Sequence, residues 1–185
     1  MNLPNTLTII RVLLIPVFVI LIINHSFWWA FIIFAIAGIT DGLDGLLARL
    51  THQKTELGAY LDPIADKLLL ISAYLSLAIT EVLPGWLSVI VITRDVIILL
   101  GLLVIMLISH PPGIHPSFIS KMTTVFQIST VLLALLEGYT PFFKQLTPMA
   151  IYGTTFLTIL SGTHYLYVGT RILNQKNQKK SSRGE

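Results

Sequence analysis

Four aspartates stand close together in a chain that otherwise carries little charge. Asp41 and Asp44 are three residues apart, and Asp62 and Asp66 are four residues apart. On helices, each pair would therefore lie on one face. Carboxylate oxygens are hard ligands, which select Mg²⁺, Mn²⁺ or Ca²⁺. If the two pairs face each other, these residues predict a site for a pair of divalent cations.

Four carboxylates in an apolar environment need compensating charge, because each charge inside a bilayer costs about 2.5–3.5 kcal/mol on insertion scales. Protonation would supply that compensation, and so would the cations Arg49, Lys67 and Arg94. We favour a pair of divalent cations because they suit two facing acidic pairs. Glu81 and Glu137 each stand alone near a predicted helix end, where a solvated charge is the ordinary interpretation.

Small residues follow the first aspartates. Gly42, Gly45 and Ala48 would form a smooth strip along one helix. Such a strip is typical of close packing between membrane helices. It would also let a flat ligand lie along the helix, with Arg49 binding an anionic group at its end. Gly58 is predicted to let the chain turn into the next helix.

The composition around these residues predicts an integral membrane protein. The 185-residue chain is 54% hydrophobic and 11% charged, with a mean hydropathy of +0.80. Soluble domains carry about 25% charged residues. There is no cysteine, so disulfide frameworks and thiolate chemistry are excluded. The first apolar run has no basic start and no small-residue cleavage site, which predicts a retained membrane helix with Arg11 inside it.

The apolar runs predict an all-α, polytopic membrane protein, since a helix needs roughly 20 apolar residues to cross a bilayer. We expect one membrane domain over residues 1–172 and a disordered basic tail over 173–185. The six predicted spans are 6–24, 27–49, 60–80, 85–108, 117–136 and 148–172.

The distribution of Lys and Arg predicts the orientation of these spans. Arg49, Lys54 and the basic tail would lie on one side of the membrane, and Lys144 on the other. Both termini and the aspartates are therefore expected at the cytoplasmic end of the bundle. The membrane that we expect is the cell membrane of a bacterium. The net charge of +3 then reflects topology and attraction to anionic lipid, and no nucleic-acid partner is expected. The tail residues counted are Arg171, Lys176, Lys179, Lys180 and Arg183.

The charged segment has the pattern of a known family. The stretch DGLDGLLAR at 41–49, followed by Gly58, Asp62 and Asp66, resembles the signature of the CDP-alcohol phosphatidyltransferases at every fixed position. Members of that family are six-helix enzymes of the inner leaflet. The opening LPNTLTIIR resembles the branch that makes phosphatidylglycerophosphate and cardiolipin. The resemblance implies transfer of the phosphatidyl group of CDP-diacylglycerol to an alcohol, with release of CMP, and a homodimer.

The resemblance also implies roles for individual residues. Asp41, Asp44 and Asp62 would bind two Mg²⁺ or Mn²⁺ ions, with Asp66 completing the site and acting as the general base. The cytidine diphosphate part of the donor would lie against Gly42, Gly45, Ala48 and Arg49, with Gly58 keeping the site open.

The acceptor alcohol is predicted from the fourth and fifth spans. Phosphatidylglycerophosphate synthases carry a second Arg where this chain has Leu102, and Gly and Lys where it has Ser120 and Thr123. Both stretches resemble the cardiolipin synthases of the eukaryotic type instead. This favours phosphatidylglycerol as the acceptor, with glycerol 3-phosphate as the alternative.

Arg94 and Lys121 are the predicted contacts to the phosphodiester of the acceptor. Neighbouring residues point about 100° apart on a helix, so we expect Arg94 not to pair with Asp95. Lys121 stands near a helix start, where its charge opposes the helix dipole and favours an anionic partner.

Two other classes of protein compete with a phosphatidyltransferase. A cation- or proton-coupled transporter also uses carboxylates inside the membrane. However, transporters place such sites near the midplane between repeats, and no repeat is visible here. An Asp-rich prenyl-transfer enzyme would lack the Ala-Arg step and the Gly58 spacing.

Overall fold

The computed structural model describes residues 3–51, 56–108 and 118–181, with side chains described over 9–40, 65–101 and 118–165. Within these ranges the protein consists of six α-helices and has no β-strand. The predicted all-α class is therefore confirmed. The helices are α1 (Leu3–Ile23), α2 (Phe27–Thr51), α3 (Glu56–Ile79), α4 (Gly85–Ile108), α5 (Phe118–Leu136) and α6 (Pro141–Ser181).

The helix α6 is longer at both ends than the predicted span. It begins at Pro141, because proline suits the first turn of a helix, where its missing N–H is not needed. Pro148, where the span was predicted to start, lies inside the helix. The helix also continues through 173–181, which was predicted to be disordered. That segment is rich in Lys and Gln, which are good helix formers, and has no Gly or Pro before Gly184.

Two tight turns reverse the chain between successive helices. His25 ends α1 in the left-handed region, with φ of 54°, and Glu81 does the same after α3, with φ of 59°. At each turn a backbone N–H bonds back across the helix end: Ser26 N to Leu21 O at 2.8 Å, and Val82 N to the last turn of α3 at 3.0 Å. These bonds satisfy carbonyls that would otherwise be unpaired at the helix ends.

The six helices form a closed ring. In the ring, α1 packs against α2 and α3, α3 against α4, α4 against α6, α6 against α5, and α5 against α2. A further contact between α3 and α5 crosses the ring. Among the described side chains, the buried core includes Phe18, Ile22, Tyr74, Leu77, Leu87 and Leu135.

The outer surface of the bundle is strongly apolar. Leu13, Ile39, Ile79, Val89 and Phe156 each expose more than half of their surface. Apolar patches of this extent mark contact with a membrane or with another protein. Among the described residues, α5 is the one helix long and apolar enough to cross a bilayer by length and composition, and two shorter apolar stretches lie in α1 and α2.

Candidate active site

The signature aspartates lie on two helices at the same end of the ring. Asp41 and Asp44 are in the C-terminal half of α2, and Asp62 and Asp66 are in the N-terminal half of α3. The helical spacing predicted for each pair is therefore present in the backbone. Of these four side chains, only that of Asp66 falls among the described residues.

The same limit applies to the predicted nucleotide site. The side chains of Ala48 and Arg49 lie outside the described residues, and so do the surroundings of Gly42, Gly45 and Gly58. All five residues lie within α2 or α3. Gly58 is inside α3, which begins at Glu56, so the prediction that the chain turns into this helix at Gly58 was wrong. The predicted roles of the five residues in the nucleotide site stay predictions.

Asp66 forms an ion pair with Arg11. The Arg11 Nη1 donates to the Asp66 Oδ1 at 2.5 Å, which joins α1 to α3. The Arg11 side chain is 1% exposed, whereas that of Asp66 is 38% exposed. Arg11 was not predicted as a site residue, although a lone arginine inside an apolar helix signals a buried carboxylate partner.

A pocket of about 70 Å³ lies beside this ion pair. Arg11 and Asp66 line it, and Thr124 on α5 is also part of its wall. The other lining residues are apolar or glycine: Phe34, Ala37, Gly38, Leu69, Leu70 and Ile128. This pocket therefore presents a candidate base to a small, largely apolar space enclosed by four helices.

Gly38 lines the pocket on the side of α2. A Cβ atom built at Gly38 would meet no other atom within 4 Å. A larger side chain could therefore be placed at this lining position without a clash.

A second cluster of charges lies on the other side of α3. The fully buried Asp95 on α4 accepts from Lys67 Nζ at 2.8 Å and from Arg94 Nη1 at 2.7 Å. The prediction that Arg94 would not pair with Asp95 was wrong. The Cα–Cβ bonds do diverge, but the long arginine side chain has enough rotatable bonds to bring its guanidinium back to its neighbour.

Arg94 also joins α4 to two further helices. Its Nη2 donates to Ser120 Oγ on α5 at 2.8 Å and to Ser161 Oγ on α6 at 2.7 Å. The side chain is 4% exposed. Through these contacts Arg94 links α4 to α5 and α6. The predicted contact of Arg94 with an acceptor stays a prediction, as does that of Lys121, whose side chain is exposed near the start of α5.

Polar residues also line the buried contact between α5 and α6. Thr130 and Thr154 hydroxyls lie 2.7 Å apart, and Thr123 Oγ1 donates to the Leu157 carbonyl at 3.2 Å. Tyr74 on α3 donates to the Gln127 carbonyl at 3.1 Å. These bonds fix the position of α5, the helix that brings Ser120 and Thr124 to the site. This threonine pattern was not predicted from the sequence.

The donor types at this end of the bundle fit a divalent cation. Carboxylate oxygens are the ligands that Mg²⁺ and Mn²⁺ prefer. The partly exposed Asp66 is one turn along α3 from Asp62. Within the described side chains there is no group of three or more potential ligands. The proposed site therefore depends on Asp41, Asp44 and Asp62, which lie outside that part of the chain.

Comparisons with known proteins agree with the pattern of residues. The probable cardiolipin synthase (CMP-forming) of Drosophila melanogaster is 38% identical over 177 residues, covering 87% of this chain. This chain spans about half of that relative, 54% of its length. The CDP-diacylglycerol–glycerol-3-phosphate 3-phosphatidyltransferase of Bacillus subtilis is 30% identical over 194 residues, covering 95% of this chain and 99% of the relative.

A third relative is the probable phosphatidylglycerophosphate synthase of Mycobacterium tuberculosis, 36% identical over 174 residues, covering 89% of this chain and 80% of the relative. The family profile described as CDP-alcohol phosphatidyltransferase matches residues 1–160, which include all four aspartates and Arg11. The chain therefore belongs to the CDP-alcohol phosphatidyltransferase family, whose members are membrane-associated.

Proposed function

We propose that this protein is a membrane enzyme of phospholipid synthesis that transfers the phosphatidyl group of CDP-diacylglycerol to a glycerol-type alcohol and releases CMP. The favoured acceptor is phosphatidylglycerol, which would make the product cardiolipin, and glycerol 3-phosphate is the alternative. Family membership and the names of the relatives support this reaction. The single observation that carries the proposal is the family signature on α2 and α3, with Asp66 beside a pocket.

The aspartates are proposed to serve both metal binding and proton transfer. Asp41, Asp44 and Asp62, completed by Asp66, would bind two Mg²⁺ or Mn²⁺ ions. Such ions neutralise a pyrophosphate and favour departure of the nucleotide. A carboxylate is too weak a base to deprotonate a free alcohol outright. Asp66 would therefore accept the proton as the acceptor oxygen bonds to phosphorus and the bond from phosphorus to CMP breaks.

The nucleotide is proposed to lie along α2. Gly42, Gly45 and Ala48 would leave room for the cytidine diphosphate, and Arg49 would pair with its anionic groups. Gly58 on α3 would keep the opposite side of the site open. The spacing of these residues in the family signature supports the assignment, since a side chain at either glycine of α2 would occupy part of the strip.

The pocket beside Asp66 favours a lipid acceptor. Glycerol 3-phosphate carries a compact phosphate that would need cations of its own. The cation that lines the pocket, Arg11, is already paired with Asp66. Most of the remaining wall is apolar. Arg94 and Lys121 are proposed to contact the phosphodiester of the acceptor, and Lys121 is the more accessible of the two because Arg94 is buried.

All six helices are proposed to span the membrane, with both termini and the active site on the cytoplasmic side of the cell membrane. Exposed aromatic residues support this arrangement. Trp28, Trp29, Trp86 and Tyr139 stand at the helix ends opposite the aspartates. Trp and Tyr concentrate at the two interfaces of a membrane with water. A homodimer is proposed from family resemblance alone.

One experiment tests both the reaction and the acceptor. Purified protein is incubated with CDP-diacylglycerol and Mg²⁺, with either phosphatidylglycerol or glycerol 3-phosphate added. Released CMP and the lipid product are then identified by mass spectrometry. We expect CMP and cardiolipin with phosphatidylglycerol. Phosphatidylglycerophosphate as the main product would reverse the choice of acceptor, and no CMP with either alcohol would refute the proposed reaction.

A further inference from the structure

The contact between Arg11 and Asp66 links α1, which lies outside the aspartate signature, to the proposed base. Arg11 lies midway along α1, a helix that is otherwise almost entirely apolar. Its side chain is 1% exposed, so its guanidinium is withdrawn from solvent and lipid. A buried charge of this kind persists only when it is paired and hydrogen-bonded. Asp66 supplies that pairing through Oδ1.

The exposure of the two partners is unequal. Asp66 keeps 38% of its side-chain surface exposed, while Arg11 is almost completely covered. Here the arginine is enclosed and the carboxylate faces the pocket that both residues line. The Arg11 guanidinium is therefore held in place by its surroundings, and the Asp66 carboxylate is accessible from the pocket.

We propose that Arg11 is a positioning residue that orients the Asp66 carboxylate toward the acceptor hydroxyl in the pocket. This inference rests on the proposed function, because it takes Asp66 as the proton acceptor. A guanidinium is planar and donates in fixed directions, so it orients a carboxylate more strictly than an ammonium does. A carboxylate has two oxygens with about four lone-pair sites, so accepting a hydrogen bond from Arg11 does not by itself prevent it from accepting a proton.

A purely structural role for Arg11 makes different predictions. If the pair only joins α1 to α3, replacing Arg11 lowers thermal stability and leaves turnover of the folded protein unchanged. If Arg11 orients Asp66, turnover falls while binding of the donor is preserved. Small displacements of a reacting group can cost about 100-fold in rate. A comparison of kcat with KM therefore separates the two roles.

The test uses Arg11→Met and Arg11→Lys in the full-length protein. CMP release is measured with phosphatidylglycerol while CDP-diacylglycerol is varied. We expect Arg11→Met to lower kcat about 10- to 100-fold, as loss of a supporting partner does in metal sites, with KM for CDP-diacylglycerol unchanged. Arg11→Lys should recover part of that loss. Unchanged kcat in Arg11→Met, or a raised KM for the donor with normal kcat, would overturn the proposal.

The matched control is Ile22→Ala, which removes buried volume from the same helix near its far end. It should lower the midpoint of thermal unfolding and leave kcat unchanged. A fall in kcat equal to that of Arg11→Met would show that loosening α1 suffices, and would overturn the positioning role.

A second measurement does not depend on activity. The thermal midpoints of Arg11→Met, Asp66→Asn and the double variant form a cycle, and paired residues should give a double variant less destabilised than the sum of the singles. Additive midpoints would contradict a direct link between the two residues. Failure of the proposed function would be seen in different results. Either the wild-type protein would release no CMP, or Asp66→Asn would release CMP at the normal rate.

Discussion

Lys67 on α3 and Asp95 on α4 form an ion pair, with Nζ 2.8 Å from Oδ2. Asp95 is fully buried, and its other oxygen accepts from Arg94. The Asp95 carboxylate therefore forms ion pairs with two cations, Lys67 and Arg94. Lys67 is the residue directly after Asp66 in the chain. Through Arg94 the same network reaches Ser120 and the helix α6. One buried anion thus connects four of the six helices next to the proposed base.

Replacing Asp95 with Asn should strongly destabilise the protein. The substitution keeps the size of the side chain but leaves the buried Arg94 guanidinium without its counter-charge. Breaking a buried ion pair by removing one partner typically costs about 3–5 kcal/mol. The midpoint of thermal unfolding in detergent micelles would measure the loss.

The matched control for that substitution is Glu81→Gln, which removes the same charge from an exposed side chain. Exposed substitutions of this kind usually stay within about 0.5 kcal/mol. If Asp95→Asn unfolds at the wild-type midpoint, or no lower than Glu81→Gln, the ion-pair network is not a main source of stability.

The hydroxyl pair between Thr130 and Thr154 should contribute a smaller and measurable amount. The two oxygens lie 2.7 Å apart in the buried contact between α5 and α6. Hydrogen bonds between membrane helices contribute about 0.6 kcal/mol on average and about 1.7 kcal/mol at most. A cycle of Thr130→Val, Thr154→Val and the double variant, followed by thermal unfolding, should give a coupling within that range.

Thr155→Val is the control for this cycle, because the Thr155 hydroxyl donates to Ile151 within its own helix at 2.8 Å. It should show no coupling to Thr130→Val. Coupling as large as that with Thr154 would mean that the contact is loosened in general, and that the interhelical bond is not the cause.

The sequence allowed the six helices to be predicted, because long apolar runs separated by Gly, Pro and polar residues indicate helices and their ends. It did not predict which helices are neighbours. The ring order depends on complementary side-chain packing between distant segments, as between Phe18 on α1 and Phe34 on α2, whose ring centroids lie 5.4 Å apart. The extent of α6 was underestimated because Pro148 was taken as a helix start, although helices in membranes tolerate an internal proline.

Only part of the candidate site could be predicted, again because the sequence does not show contacts between helices. Spacing along one helix places Asp62 and Asp66 on the same face, so the acidic pairs follow from the sequence. Spacing contains no information about a partner on another helix, so the pairing of Arg11 with Asp66 was missed. The pairing of Arg94 with Asp95 was rejected because backbone direction was considered and side-chain length was not.

Removing a proposed metal ligand should stop the reaction and leave the fold intact. Asp62→Asn should lower CMP release by more than about 100-fold, since loss of even an outer partner of a metal ligand costs about 10- to 100-fold. Gel filtration and thermal unfolding would check that the variant is folded. EDTA should abolish the activity of the wild-type protein, and added Mg²⁺ or Mn²⁺ should restore it.

The control for Asp62→Asn is Glu137→Gln, a carboxylate at the opposite end of the bundle, which should release CMP at the wild-type rate. Near-normal turnover by Asp62→Asn, or activity that persists after complete chelation, would contradict a metal-dependent mechanism.

The pocket beside Asp66 should be closed by a larger side chain at position 38. Gly38→Leu projects into space that holds no other atom within 4 Å of the new Cβ, so no backbone need move. Leucine favours a helix over glycine by about 1 kcal/mol, so stability should be kept or raised. If the acceptor hydroxyl reaches Asp66 through this pocket, kcat/KM for phosphatidylglycerol should fall at least about tenfold. A tenfold fall corresponds to a rise of only about 1.4 kcal/mol in the activation free energy.

Gly101→Leu makes the same exchange on α4, at an exposed position away from the pocket where a new Cβ also meets no atom within 4 Å. It should gain similar helix stability and keep the wild-type rate with phosphatidylglycerol. A Gly38→Leu protein that is stable and fully active would show that the acceptor does not use this pocket. Of these two positions, only 38 borders the proposed base. If both variants lost activity equally, the cause would therefore be a general effect of an added leucine on the outer surface of the bundle.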